Sequence, residues 1–176
     1  FKAHHDVGVV GLSIENKRRL VEMLSKQGRV FITTEKNIDD EFKPYQIKLS
    51  PEKVHSLMYY ATMFVGDSQS MTSEAAILGT PAIRCNTFVG KLHTLNEIES
   101  VYDMTYGFLP QDSEKMFKKI EELLSMPDLK KVWMAKREKL LADKIDYAAF
   151  LTWFIKNYPK SKEVMKETPE YQYRFR

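Results

Sequence analysis

Apolar positions along this chain follow two alternating rhythms. From Ser13 to Gly28, "SIENKRRLVEMLSKQG" places Leu20, Val21 and Leu24 on one helical face, with Ser13 as the N-cap and Gly28 as the stop. The rhythm then changes: "RVFITT" at 29–34 has the β-branched and aromatic content of a strand, and after the polar loop "TEKNIDDEFKPY" the short "QIKL" predicts another. Ser50-Pro51 supplies a cap and a first-turn proline for a helix carrying Val54, Leu57, Met58 and Ala61 at i, i+3, i+4 and i+7. "MFVG" predicts a short buried strand, "GDSQSMTSEAAILGTP" a loop, a helix and a stop, and "AIRC" a further strand.

Strands separated by helices of this length require crossover connections, so the pattern predicts an α/β fold with a parallel sheet covered on both faces. From residue 112 the chain is expected to be helical. Met116, Phe117, Ile120, Leu123 and Leu124 form one stripe, Pro127 interrupts it, and Leu129, Val132, Trp133 and Leu140 form the next. A third helix, "DYAAFLTWFIKNY", is apolar on several faces, which predicts either a buried core helix or one that docks on another lobe. Residues 1–158 then form the main lobe and 159–176 an ordered extension, with no internal repeat.

Composition narrows the function classes. Lys and Arg exceed Asp and Glu by 27 − 24 = 3, compatible with a phosphate-bearing ligand and far below the charge of a nucleic-acid binder. The single cysteine, Cys85, rules out an intramolecular disulfide and a cysteine-built metal site, and fits a reducing, cytoplasmic setting. The apolar run around 148–155 is too short to span a bilayer, which leaves contact with a membrane surface open. The chain opens on "FKAHHDVG" without an initiator methionine, so it is expected to be a piece of a longer protein.

The segment "GDSQSMTSEAAILGTP" lies where open α/β sheets bind ligands, outside the carboxyl end of a strand and at the start of a helix. Small residues at Ser68 and Ser70 permit close approach and add hydroxyl donors, while free N–H groups at the helix start favour a phosphate or diphosphate. There is neither a Walker loop nor a GxGxxG pattern. With Ser70 as N-cap, Glu74 falls at N4, where two readings stay open. The carboxylate either accepts the hydroxyls of a ribose or complements the helix dipole.

"PEKVHSLMYYATMFVGDSQSMTSEAAILGTPAI" resembles the C-terminal lobe of the GT-B group, which includes nucleotide-sugar glycosyltransferases and the UDP-N-acetylglucosamine 2-epimerases. "HHDVG" followed by "GDSQSMTSEAAILGTPAIRCNTFVG" is similar to a prokaryotic glycosyltransferase-like family of unknown function, and the likeness covers most of residues 1–110. The epimerase element D-S-G-G-x-x-E-E-A falls without a gap on Asp67 to Ala75, with Gln69 and Ser70 in place of its two glycines. The resemblance implies a Rossmann-like sheet in which Ser68, Gln69 and Ser70 line the diphosphate of a UDP-sugar and Glu74 holds its ribose, with Met71 and Thr72 counted among the ligand-binding residues. It places the base near Gln46 to Leu49.

Other candidates are less specific. His4 and His5 occupy the loop where the epimerases carry a basic pair near the donor phosphates, which makes them candidate phosphate contacts or acid/base groups; structural hydrogen bonding is the competing view. Adjacent residues of an extended segment point to opposite sides, so a shared metal ion is not expected. Arg84, Asn86, Lys91 and His93 are read as one loop after a strand and as candidate contacts to the donor. His55 is expected to be a partly buried, hydrogen-bonded histidine.

The combined expectation is the nucleotide-sugar-binding lobe of a GT-B-like glycosyltransferase or sugar epimerase of surface-polysaccharide synthesis. It would use UDP or a UDP-sugar as ligand, no other cofactor and no nucleic acid, and an N-terminal lobe would supply acceptor recognition. The alternatives are a non-catalytic nucleotide-binding module and an interaction domain that works through Trp153 and Phe154.

Overall fold

The computed structural model describes residues 10–34 and 37–176. His4 and His5 lie outside the described residues. The chain forms two compact units, Phe1–Lys136 and Arg137–Arg176.

The first unit is an α/β structure built on a three-stranded parallel sheet. Helix α1 (Ile14–Ser25) starts at Ser13, whose Oγ accepts from the Asn16 N–H, and turns its buried Val21 inward. Helix α2 (Val54–Tyr60) follows a 3₁₀ turn at Pro51–Lys53, and its Met58 packs with Ala75 and Ala82. Strand β1 (Phe64–Gly66), helix α3 (Gln69–Ile77), strand β2 (Ala82–Cys85), helix α4 (His93–Ser100) and strand β3 (Thr105–Phe108) then alternate. The sheet order is β1-β2-β3, with Gly66 opposite Arg84 and Arg84 opposite Gly107.

Parallel crossovers are right-handed as a rule, so two that step in the same direction place α3 and α4 on one face, and the two helices touch each other. Helix α5 (Ser113–Leu124) also packs on β2 and β3 and buries Met116, Phe117, Ile120 and Leu123. All four residues of β2 are buried although their side chains alternate between faces, so the central strand is covered on both sides. Helix α6 (Leu129–Asp143) inserts Trp133, which is fully buried and donates from Nε1 to the Met104 carbonyl at 2.9 Å.

Three expectations need correction. The segments 29–34 and 46–49 form no strand ladder; they meet only at the parallel bridge between Ile32 and Gln46, and Ile32 joins Val21, Ile38 and Phe42 in a small core. The third strand is instead Thr105–Phe108, whose "TYGF" lacks a continuous apolar signal. His93 lies not in a loop but at the first position of α4.

In the second unit, helix α7 (Tyr147–Lys156) is capped by Asp146, whose Oδ1 accepts from Ala149 N–H at 2.9 Å. It has no buried residue, contrary to the core-helix expectation. Its aromatic residues are engaged by the tail, which forms α8 (Lys160–Glu167) and a 3₁₀ segment at Pro169–Phe175. Trp153 stacks on Tyr171 at 4.7 Å between ring centroids, and Phe150 meets Phe175 edge-on at 5.6 Å. Among the described residues, no helix is long and apolar enough to cross a membrane.

Candidate functional site

The loop from β1 into α3 builds the candidate site. Strand β1 ends at Gly66, where an added Cβ would lie 2.8 Å from Phe64 Cζ. Asp67 follows, buried, and beyond it Ser68 has the extended backbone (φ −78°, ψ 128°) of an N-cap. Its Oγ accepts from Met71 N–H at 3.4 Å, and its carbonyl accepts from the Thr72 hydroxyl at 2.6 Å. The cap is therefore Ser68, two residues earlier than the sequence reading placed it.

That shift changes the meaning of Glu74. Counting from Ser68, Glu74 lies at the sixth helical position, in the second turn, and α3 has no acidic residue in its first turn. The dipole effect fades within one turn, so the dipole-complement reading loses its basis. The N–H groups of Gln69 and Ser70, at the first two helical positions, have no intrahelical partner by geometry and none among the other described residues.

The far end of α3 is closed as firmly as its start. Gly79 adopts a left-handed φ of 72°, its N–H reaches the Ala76 carbonyl at 2.8 Å, and Thr80 N–H reaches Ala75 at 2.9 Å. These are the paired bonds of a Schellman ending. Thr80 Oγ1 then donates to the Met58 carbonyl at 2.8 Å, which ties α3 to α2.

Of the residues assigned to the diphosphate, Ser70 is exposed and Ser68 and Gln69 are partly accessible. Thr72 is fully buried with its hydroxyl turned back onto Ser68, and Met71 packs towards Met58, Ala75 and Ala82. Asn86 is also fully buried and braces two loops. Its Nδ2 donates to the Asp67 carbonyl at 2.7 Å, while its Oδ1 accepts from Gln69 Nε2 at 3.0 Å and from Phe88 N–H at 2.9 Å. Asn86 thus fixes the loop after β1 against the loop after β2 and has little capacity left for a ligand.

Arg84 faces inward too. It is 1% exposed, its Nη2 lies 3.0 Å from Glu99 Oε2 without hydrogen-bond alignment, and Nε and Nη1 have no partner among the described residues. Burial pulls its pKa down and the Glu99 carboxylate opposes that shift. Lys91 stays in the exposed loop, its ammonium 5.2 Å from the Phe88 ring centroid. The structure therefore brings Ser68, Gln69, Ser70 and Glu74 together on one helix, and separates them from the buried Arg84.

His55 was undervalued by sequence. It is not partly buried: its side chain is 63% exposed, and Nε2 lies 3.3 Å from Glu74 Oε2 across the contact between α2 and α3. The two residues are 19 apart in sequence, and no spacing rule links them.

Beneath the α3 entry lies a cavity of about 40 Å³ lined by Leu12, Lys17, Val65, Gly66, Asp67 and Cys85, among others. Gly11 lies close to the lining residue Asp67: a Cβ there would meet Asp67 Oδ2 at 3.0 Å. A larger depression of about 510 Å³, between α1 and α5, is open and lined by charges of both signs, among them Arg19, Glu22, Lys26 and Glu121. It shares no residue with the α3 entry. Among the described residues, no group of three His, Cys, Asp or Glu side chains is placed to hold a metal ion. No protein-family model, curated protein or solved structure matches the chain.

Proposed function

We propose that the first unit is a nucleotide-sugar-binding lobe, with the entry to α3 taking the diphosphate of a UDP-sugar and Glu74 its ribose. The observation that carries this reading is the arrangement on α3. A capped helix start whose first two N–H groups have no partner among the described residues stands at the carboxyl end of β1, and an outward carboxylate follows in the second turn, unneeded for capping. N–H groups and hydroxyls would stabilise negative charge on a diphosphate leaving group as a glycosidic bond breaks. The carboxylate supplies paired acceptors for vicinal hydroxyls. In a GT-B-like enzyme this lobe serves glycosyl transfer or sugar epimerisation, with the acceptor site on a second lobe.

A calorimetric titration with UDP, and with ADP and GDP as controls, tests the reading. Selective UDP binding that weakens at least tenfold in Glu74→Ala is expected, the loss that follows from removing hydrogen bonds to a charged group. A folded protein that binds none of the three nucleotides overturns it.

A further inference from the structure

Glu74 is the only ionisable residue of α3, and the group facing it belongs to a different helix. His55 stands in the first turn of α2 with Nε2 3.3 Å from Glu74 Oε2, while Oε1 has no hydrogen bond among the described residues. The side chains are 63% and 42% exposed, and an ion pair of that kind contributes little to stability. Neither residue belongs to the core. The pair has a geometric consequence instead, because the contact distinguishes the two carboxylate oxygens: Oε2 faces the imidazole and Oε1 does not.

We infer that His55 is the positioning residue of the ribose site: its Nε2–H holds Glu74 Oε2, so that Oε1 is presented to a ribose hydroxyl, and protonation of the imidazole strengthens that hold. The inference rests on the nucleotide-sugar reading and adds a residue and a pH dependence to it. An imidazolium donates from both nitrogens, whereas the neutral ring can place its single proton on Nδ1 and turn a lone pair toward the carboxylate. Other ionisable groups around α2 are Glu52 and Lys53 in the preceding 3₁₀ turn, Tyr59 and Tyr60 at its far end, and Lys130, whose Nζ donates to the Tyr59 carbonyl at 2.6 Å. Glu52 is engaged with Ser50. Across the α2–α3 contact, the charge that His55 meets is that of Glu74.

The test uses UDP-glucose, whose diphosphate is a diester with no proton to lose between pH 5.5 and 8. Calorimetry at both pH values is run on the whole chain and on His55→Gln, His55→Leu and Glu74→Gln, with melting temperatures as a control. Wild-type affinity should fall about threefold as pH rises, the scale of one exposed ion pair. His55→Gln, which donates an N–H at every pH, should keep the tight affinity and flatten the profile; His55→Leu should be flat and weak at both. The chain carries three further histidines, His4, His5 and His93, so the readout is the difference between wild type and the His55 variants. Binding that depends on Glu74 but is identical in wild type and His55→Leu overturns the inference and leaves the nucleotide reading standing. Absence of UDP-glucose binding to wild type overturns both.

Discussion

Arg84 and Gly107 are opposite residues of the β2–β3 ladder, and the guanidinium of the first fills the space that a side chain on the second would need. A Cβ on Gly107 would lie 3.0 Å from Arg84 Cζ and 2.9 Å from Val89 Cγ1. Gly107→Ala should therefore destabilise the protein by about 1–3 kcal/mol through overpacking. Gly28→Ala is the control: a Cβ there meets nothing within 4 Å and the backbone is not left-handed, so the change should be neutral or slightly stabilising. Urea denaturation of the two variants measures the contrast, and equal losses would refute the packing argument.

The Arg84–Glu99 pair makes a second, asymmetric prediction. Arg84 is 1% exposed while the Glu99 side chain is 32% exposed, and Glu99 Oε1 also accepts from Gly107 N–H at 3.2 Å. Removing Glu99 strands a cation that cannot reach water, whereas removing Arg84 leaves a carboxylate whose Oε2 is buried but which keeps the Gly107 N–H on Oε1 and sits on a side chain one-third exposed. Glu99→Ala should cost about 3 kcal/mol and Arg84→Met less than about 1 kcal/mol. Chemical denaturation of both variants and of the double variant checks the order; a larger loss for Arg84→Met would contradict it.

The helices were legible from sequence because their signal is local. Ser13, Pro51 and the Met116–Leu123 stripe each lie within a few residues of the element they define. The strands were less so. "RVFITT" has strand composition but only Gln46 to pair with, while Thr105–Phe108 is a strand through its parallel pairing with β2, in a register that requires glycine at 107 to make room for Arg84. That requirement is set 23 residues away and leaves a polar, broken pattern in the strand itself. At the site, the loop and the helix start followed from the residue types, but the cap position, which puts Glu74 in the second turn, did not. The inward turn of Asn86 and Arg84 depends on tertiary partners, Asp67 and Glu99, that no motif specifies.

Cys85 is fully buried, and burial, with smaller contributions from Asp67 and Asp112, pushes its thiol up to about 11 from the ordinary 9.0. At pH 8 the native thiolate is thus about a hundredfold scarcer than in an exposed cysteine, and iodoacetamide should label the protein only as it unfolds. A folded-state pKa above the unfolded value adds stability below about pH 9 that is lost as pH rises towards 11. Melting temperature measured from pH 8 to 11 should fall more steeply in wild type than in Cys85→Ala. Rapid native labelling would show that the thiol is accessible after all.

Ser68 both caps α3 and stands in the proposed diphosphate site, and two substitutions separate those roles. Ser68→Ala removes the acceptor for Met71 N–H and should cost about 1 kcal/mol. Ser68→Asp keeps an acceptor there and adds a negative charge that favours a helix start, so its stability should equal or exceed that of wild type. The same charge repels a diphosphate, so UDP affinity should fall at least tenfold in the Asp variant although its fold is intact. If Ser68→Asp proves stable and binds UDP as wild type does, the phosphate lies elsewhere and the helix start is a structural cap alone.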